Sequence, residues 1–255
     1  MSPLLEAMKI GKRFGGVQAL KDISLTINRG EIYGLIGPNG AGKTTFFNVL
    51  TGLYVRDEGE LYFDGQSLPK GEPQEIAAAG IARTFQNIRL FAHMTALENV
   101  MVGRHIRSKA GVIGAVLRGQ GTRAEEDAIR NRSMELLRYV GIEGRANDMA
   151  RNLSYGDQRR LEIARALATE PKLLALDEPA AGMNATETVE LRTLIEGIRA
   201  DGVTVLLVEH DMKFIMGMCD RIAVLDYGQK IAEDAPEKIQ RDPRVIEAYL
   251  GAAHE

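Results

Sequence analysis

The chain has 255 residues, 45% hydrophobic and 26% charged, enough for one domain, or one domain with a lobe, around a substantial core. Its formal charge of −3 gives no overall basic field, so no nucleic-acid partner is expected and pairs such as Arg159-Arg160 are interpreted as solvated helix faces. The single cysteine, Cys219, excludes an internal disulfide and is interpreted as a small buried residue. The N-terminus lacks the apolar stretch of a secretion signal, and no segment reaches the ~20 apolar residues of a membrane span. We therefore expect a soluble chain that works at a membrane only through a partner.

The first third of the chain has strand patterns and tight turns. Residues 23–37, "ISLTINRGEIYGLIG", combine a period-2 stretch, a turn at Arg29-Gly30 and a short apolar strand that ends in glycine. Residues 59–68, "GELYFDGQSL", contain an Asp-Gly dipeptide typical of a hairpin turn. These patterns predict an antiparallel β lobe beside the start of an α/β core.

Residues 37–45, "GPNGAGKTT", match the phosphate-loop pattern GxxxxGK[ST] in full, between an apolar strand and a helical pattern. Glycines let backbone N–H groups face phosphate oxygens, and the helix N-terminus adds its dipole. We expect Lys43 to bridge the β- and γ-phosphates and the Thr44 hydroxyl to bind Mg²⁺. A chance glycine-rich turn is the alternative, and the strand–loop–helix context disfavours it. The predicted nucleotide site is Gly37, Pro38, Asn39, Gly40, Ala41, Gly42, Lys43, Thr44 and Thr45.

A mostly helical stretch, residues 87–152, follows. Just before it, "ARTFQNIRLF" places Gln86 after a strand-like run. Residues 105–121 are glycine-rich and weakly patterned, which favours an exposed, partly mobile insertion. Residues 122–141 predict an amphipathic helix that Gly141 ends. The predicted inner face of this helix consists of Ile129, Ser133, Leu136, Leu137 and Val140.

Residues 152–161, "NLSYGDQRRL", place a serine and a glycine just ahead of a helical pattern rich in arginine. Such a helix start can bind an anion through its backbone N–H groups. Ser154 can equally be a plain N-cap, since capping and anion binding use the same geometry. The chain therefore has a second candidate anion site besides the phosphate loop.

Two continuous apolar runs, "KLLAL" and "VTVLLV", predict central parallel strands covered on both faces. Asp177 and Glu178 follow the first run, at the edge where open α/β sheets bind ligands. Asp177 suits a contact to Mg²⁺ and Glu178 can orient or deprotonate an attacking water, although two such acids are often a helix cap and surface charge. His210 follows the second run and can touch a γ-phosphate, whereas a lone histidine is more often structural.

The end of the chain has two simpler patterns. Residues 221–234, "RIAVLDYGQKIAED", predict a closing hairpin with Gly228 at its turn. Residues 242–251, "DPRVIEAYLG", predict a short amphipathic helix.

In this order, the pieces resemble the ATP-binding subunit of an ABC transporter over nearly the whole chain, from Phe14 to the end. "GPNGAGKTT" resembles the Walker A motif, "LLALDEP" the Walker B motif with its glutamate, and "LSYGDQ" the signature LSGGQ. Gln86 is similar to the Q-loop glutamine and His210 to the switch histidine. The fold implied is an α/β P-loop NTPase core with a mostly parallel central sheet, an antiparallel β lobe and an inserted helical lobe. It implies one ABC nucleotide-binding domain over residues 1–255: the ATPase core in 1–86 and 153–235, the helical lobe in 87–152 and a helical tail in 236–255.

The resemblance also implies two subunits that enclose two ATP molecules head to tail. Ser154 and the Gly156 backbone would bind the γ-phosphate of the ATP held by the other subunit, and Gln86 would reach Mg²⁺ or the lytic water. Phe14 would stack on adenine, where relatives often have tyrosine, and a core phenylalanine is the alternative. The implied catalytic residues are Glu178, His210, Gln86 and Lys43, and the implied Mg²⁺ ligands are Thr44, Gln86 and Asp177.

Some segments depart from the general family pattern. Tyr155, Asp157 and Asn184 replace its usual residues, which leaves the coupling between the two ATP sites open. "RTFQNIRLF", "DEPAAGMN" and "VIEAYLG" resemble the bacterial importers of branched-chain amino acids. The partners then implied are a second ATPase subunit, identical or not, two membrane permeases and an extracytoplasmic solute-binding protein, with the chain at the cytoplasmic face of a prokaryotic inner membrane. An importer ATPase for urea, amides or polar amino acids and a non-transport ABC ATPase are alternatives. The Asn-Lys-x-Asp element of a GTPase is absent from the sequence.

Overall fold

The computed structural model describes residues 3–104 and 120–251. The insertion predicted at 105–121 lies almost wholly outside these residues. The strands are β1 (Pro3–Phe14), β2 (Val17–Asn28), β3 (Ile32–Ile36), β4 (Glu58–Phe63), β5 (Gln66–Ser67), β6 (Ile81–Arg83), β7 (Leu173–Asp177), β8 (Thr204–Val208), β9 (Arg221–Asp226) and β10 (Gln229–Asp234). The helices are α1 (Lys43–Leu50), α2 (Pro73–Ala79), α3 (Ala96–Arg104), α4 (Gln120–Tyr139), α5 (Tyr155–Leu167), α6 (Ala185–Ala200), α7 (Met212–Met216), α8 (Pro236–Ile239) and α9 (Pro243–Gly251).

The chain divides into two compact units. The first is Met1–Arg83, Lys172–Ala181 and Thr188–Glu255, and it contains strands β1 to β10. The second is Thr84–Pro171 and Gly182–Glu187, and it contains α3, α4 and α5. By this division α5 groups with the helical residues, and the lobe boundaries at 86 and 153 stay a prediction.

The predicted antiparallel β lobe is confirmed as a four-stranded sheet in the first unit, with the strand order β2-β1-β4-β5. The turn between β4 and β5 is the Asp-Gly dipeptide predicted from the sequence. Asp64 has φ 53° and Gly65 has φ 75°. Two consecutive left-handed residues make the type I′ geometry, whose twist matches that of the flanking strands.

The central sheet of the first unit has the strand order β10-β9-β3-β8-β7-β6. The strands from β9 to β6 are parallel, and β10 pairs antiparallel with β9. Every residue of β3, β7 and β8 is buried, which is why these strands are apolar throughout rather than alternating. The carboxyl ends of β3, β7 and β8 meet at one edge, and the phosphate loop, the acidic pair and His210 follow them there.

The helices of the second unit pack on one another, with α3 against both α4 and α5. The predicted inner face of α4 is confirmed, because all five of its residues are buried from Ile129 to Val140. The hydroxyl of Ser133 donates to the Ile129 carbonyl at 2.8 Å, so this polar member of the face is satisfied within its own helix. Gly141, with φ 81°, follows the helix in the left-handed conformation that commonly ends one.

Candidate functional site

The phosphate loop leaves the end of β3 and enters α1. Gly37 has φ 153°, and a Cβ placed on it would lie 2.1 Å from the carbonyl oxygen of Leu225. Gly42 has φ 98° and precedes the first turn of α1, whose N–H groups have no partner within the helix. A Cβ at Gly42 would lie 2.9 Å from the Ala19 carbonyl oxygen. The loop therefore needs glycine at both positions, and it presents a concave set of backbone donors that suits a polyphosphate.

Lys43 lies within this loop and is buried. Its ammonium donates to the Gly37 carbonyl at 2.6 Å and to the Pro38 carbonyl at 2.9 Å. Burial lowers the pKa of Lys43, and the nearby carboxylates of Glu178 and Asp177 act in the opposite direction. The cation is thus held by loop carbonyls that can release it to an anion.

Asp177 ends β7 and is buried, which requires a compensating charge. The guanidinium of Arg83 supplies it, with its Nη2 3.8 Å from Oδ2 of Asp177. Arg83 also donates to the Asn48 side-chain oxygen at 2.9 Å and to the Thr51 hydroxyl at 2.6 Å, so it links β7 to the helix that follows the phosphate loop. This role of Arg83 was not predicted, because nothing in "IAR" distinguishes Arg83 from an ordinary surface arginine.

Glu178 has the left-handed backbone conformation, with φ 45°. A non-glycine residue held there costs about 1–3 kcal/mol, and such strain is concentrated at functional sites. The amide of Glu178 donates to the Val208 carbonyl at 2.8 Å, which fixes this conformation against β8. The Glu178 carboxylate lies 3.6 Å from Nδ1 of His210, so the first unit brings these two predicted catalytic residues together.

Glu209 connects the segments that carry these two residues. It is 1% exposed, and its carboxylate accepts from the Ala180 amide at 2.9 Å and from the His210 amide at 3.1 Å. Its Oε2 also lies 3.8 Å from Nδ1 of His210. The role of Glu209 was not predicted, although an acid at the end of an apolar strand pattern, directly before His210, was the available signal.

Phe14 ends β1 and is 44% exposed, so it is not a core residue. Its ring meets the Tyr54 ring edge-on at a centroid distance of 5.2 Å, and Lys12 Nζ lies 5.2 Å from its centroid. An exposed, positioned aromatic face can stack on a base. The contact to adenine stays a prediction.

The second unit contains the other predicted residues, Gln86, Ser154 and Gly156. Ser154 is the N-cap of α5, and its hydroxyl accepts from the Asp157 amide at 3.2 Å. A Cβ on Gly156 would lie 2.9 Å from a carboxylate oxygen of Glu187, so only glycine fits there without displacing that side chain. The N-cap interpretation of Ser154 is confirmed, and the same geometry leaves the first turn of α5 able to receive an anion.

Two observations in the second unit concern the segment after β6. The carbonyl of Gln86 accepts from a guanidinium nitrogen of Arg159 at 3.0 Å. Arg159 is fully buried, so the prediction of a solvated Arg159-Arg160 pair is wrong for Arg159. Arg160 is half-buried. The sequence of a helix does not show whether a charged residue faces solvent or faces another segment of the chain, because that depends on which segment packs against the helix.

The comparisons with known proteins agree with this geometry. The family model described as "ABC transporter" matches residues 20–181, and one described as "Branched-chain amino acid ATP-binding cassette transporter" matches residues 229–255. The high-affinity branched-chain amino acid transport ATP-binding protein LivG of Escherichia coli (strain K12) is 46% identical over 252 residues, which are 98% of this chain and 99% of that protein. The chain belongs to the ATP-binding proteins of ABC transporters.

Solved structures of ATP-binding cassettes have the same fold as this chain. An ATP-binding cassette of an ABC transporter in its ADP conformation matches with a TM-score of 0.85 and 32% identity, over 98% of this chain and all of that one. A dimeric cassette in a post-hydrolysis state, bound to ADP and phosphate, matches with a TM-score of 0.77 and 28% identity over 91% of this chain and 98% of that one. The prediction of an ABC-type ATPase with a mostly parallel sheet and an antiparallel lobe is confirmed.

The described residues contain neither a protein-only metal cluster nor a membrane-spanning helix. Within 3–104 and 120–251, no three His, Cys, Asp or Glu side chains cluster as a protein-only metal site. Mg²⁺ in phosphate-transfer enzymes is usually held by one or two protein ligands together with phosphates and water, so such a cluster is not needed. No helix in the described part of the cassette has the length and hydropathy to cross a membrane.

Proposed function

We propose that this ABC ATPase powers an importer of branched-chain amino acids. The observation that carries the ATPase chemistry is the meeting of three strand ends in the first unit, with Lys43 in the phosphate loop and Glu178 beside His210. The solute class rests on the full-length similarity to LivG and on the match of residues 229–255 to the branched-chain amino acid cassette model.

In the proposed reaction, the ATP phosphates occupy the backbone cradle between Gly37 and Thr45. Lys43 exchanges its two carbonyl acceptors for phosphate oxygens and neutralises the charge that grows on the leaving group. Glu178 accepts a proton from the water whose oxygen attacks the γ-phosphorus, while the bond from that phosphorus to the bridging oxygen breaks. His210 donates a hydrogen bond to the γ-phosphate, and Glu209 holds the His210 backbone in place.

The side chains fit Mg²⁺, because the Thr44 hydroxyl, the Asp177 carboxylate and the Gln86 amide all offer the hard oxygen atoms that this ion prefers. When bound, the ion would neutralise phosphate charge. Arg83 keeps Asp177 paired and positioned at the end of β7. The role of Gln86 rests on its resemblance to the Q-loop glutamine.

The proposed working unit is a dimer of ATPase subunits, identical or similar, in which each ATP is shared. Ser154 and the Gly156 backbone at the start of α5 bind the γ-phosphate of the ATP on the second subunit, while Phe14 of the first stacks on adenine. The two permeases and an extracytoplasmic solute-binding protein complete the importer, with this chain peripheral at the cytoplasmic face of a prokaryotic inner membrane. The similarity to LivG supports these partners.

Reconstitution tests this proposal. The chain is co-expressed with the two permeases and the second ATPase of a branched-chain amino acid importer, and the complex is placed in proteoliposomes with the ATPase subunits outside and the solute-binding protein inside. We expect ATP-dependent transport of labelled leucine, isoleucine or valine, none with the matched Glu178→Gln complex, and no competition by urea. ATP-dependent transport of urea or amides instead would reassign the solute, and ATP turnover without any transported solute would favour a non-transport ABC ATPase.

A further inference from the structure

A buried ion pair lies on helix α5, one turn after the signature serine. Arg159 Nη1 is 3.1 Å from Oε2 of Glu162, and both side chains are 0% exposed. Burial raises the pKa of Glu162, although the amide of Arg89 and the charge of Arg159 favour its ionised form. Two fully buried charges on a single helix require partners from another segment.

The partners are backbone groups of the segment that carries Gln86. Arg159 donates to the Phe85 carbonyl at 2.6 Å and to the Gln86 carbonyl at 3.0 Å. Glu162 accepts from the Phe85 amide at 3.2 Å and from the Arg89 amide at 3.3 Å. The pair thus binds donors and acceptors on both sides of Gln86, which fixes the position and the direction of this segment on α5.

A further hydrogen bond from Arg159 reaches the start of α5, the helix that follows the signature serine Ser154. The other donor contact of Arg159 Nη2 is the Tyr155 hydroxyl, at 2.9 Å. The Tyr155 ring packs against Gly182, whose added Cβ would be 3.3 Å from the ring carbon Cε1. Tyr155 is the residue that departs from the usual glycine of the signature, so this departure supplies a contact rather than a gap.

Stability alone does not account for the pair. A buried ion pair is often no more stabilising than apolar side chains of the same volume, since both ions lose their hydration. The pair does supply directional hydrogen bonds to four backbone groups, which apolar side chains cannot. Its structural consequence is therefore the fixed placement of residues 85–89 on α5.

We propose that Arg159 and Glu162 are positioning residues that hold Gln86 to the signature helix, so that Gln86 and Ser154 move as one body during the ATPase cycle. This inference rests on the proposed role of Gln86 in hydrolysis. It assigns to the buried pair the timing of two events: the arrival of Gln86 at its own nucleotide and the arrival of Ser154 at the partner's.

The test compares Arg159→Met with Arg160→Met in the full-length chain. Arg160 is the next residue on the same helix, and it donates to the Val140 carbonyl at 3.4 Å. We expect Arg159→Met to lower kcat about tenfold or more, since misplacing a catalytic group by 1 Å costs up to about 10²-fold. The Kd for ATP should stay within about twofold, because the phosphate loop is untouched. Arg160→Met should leave both values unchanged. Where Arg159→Met alone does not fold, the Arg159→Met/Glu162→Met protein is measured, because it leaves no unpaired buried charge.

A double-mutant cycle with Gln86→Ala separates positioning from a general structural role. If Arg159 acts through Gln86, its substitution should change kcat by less than about twofold once Gln86 is alanine. The same loss in both backgrounds, or no loss from Arg159→Met, would overturn the inference while leaving the proposed function intact. Full activity of Gln86→Ala would overturn the inference together with the role of Gln86. Full activity of Glu178→Gln would instead overturn the proposed chemistry.

Discussion

Replacing Gly37 with alanine tests the geometry of the phosphate loop directly. The added Cβ would lie 2.1 Å from the Leu225 carbonyl oxygen and 3.0 Å from the Ala41 Cβ. Leu225 belongs to β9, which pairs with β3, so its carbonyl cannot swing away as a side chain would. Contacts of a Cβ below 3.0 Å are essentially never seen, so the start of the loop has to move by about 0.9 Å.

A shift of that size displaces the donors that face the phosphates. Misplacement of groups by 1 Å can lower a reaction rate by about 10²-fold. By the same measure we expect Gly37→Ala to raise the Kd for ATP by about 10²-fold, which is a loss of about 2.7 kcal/mol of binding free energy. Gly202→Ala is the matched control, because Gly202 has φ 90° but nothing within 4 Å of its added Cβ. Both variants carry the cost of a left-handed alanine, about 1–3 kcal/mol of stability, and only Gly37→Ala also loses affinity.

The assay is fluorescence titration with an ATP analogue, with thermal unfolding of both variants measured in parallel. Equal ATP affinity in the two variants, at equal stability, would show that the close approach of Gly37 to β9 does not set the shape of the loop.

Three further predictions concern single side chains. Glu178→Gln should keep ATP affinity while kcat falls by at least about 10²-fold, because the amide cannot take the proton from the attacking water. Assays of phosphate release and of nucleotide binding measure the two values. Turnover at the wild-type rate would show that Glu178 is not the general base. Asp157→Gln should strengthen ATP-driven dimerisation several-fold at low salt, because it removes a negative charge from the N-terminus of α5. The gain should shrink at 1 M salt, where the Debye length is about 3 Å. Light scattering at both salt concentrations tests this, and a salt-independent effect would exclude the electrostatic explanation. Cys219 should not react with a thiol reagent at pH 8 in the folded chain, because burial raises the pKa of its thiol and only the thiolate is nucleophilic. In guanidinium the same thiol should react at once. Fast reaction of the native protein would contradict the burial of Cys219.

Local patterns predicted much of the fold. The apolar runs of β3, β7 and β8 could be recognised because strands covered on both faces need apolar residues at every position. The Asp64-Gly65 turn could be recognised because few residue pairs adopt two left-handed conformations in succession. The strand order β10-β9-β3-β8-β7-β6 was not predicted, since it depends on contacts between residues far apart in the chain.

The candidate site shows the same division between local and distant information. The phosphate loop and the acidic strand end follow from short motifs, whereas the pairing of Arg83 with Asp177 joins residues nearly a hundred positions apart. The burial of Arg159 and Glu162 was not predicted, because a spacing of three residues fits a solvated ion pair on a helix surface as well as a buried ion pair. Only the segment packed against α5 distinguishes the two, and the sequence does not reveal which segment that is.

In the proposed dimer each ATP is completed by groups from two chains, and this sharing can be tested by mixing two inactive variants. Lys43→Met impairs the phosphate loop, and Ser154→Arg blocks the start of α5, so each variant alone should be inactive. Mixed in equal amounts, they should recover about one quarter of the wild-type ATPase rate, because half of the dimers formed at random are mixed and each of these has one intact site out of two. No recovery on mixing would contradict a site shared between two copies of this chain, and full activity of Ser154→Arg as a monomer would contradict a shared site of either kind.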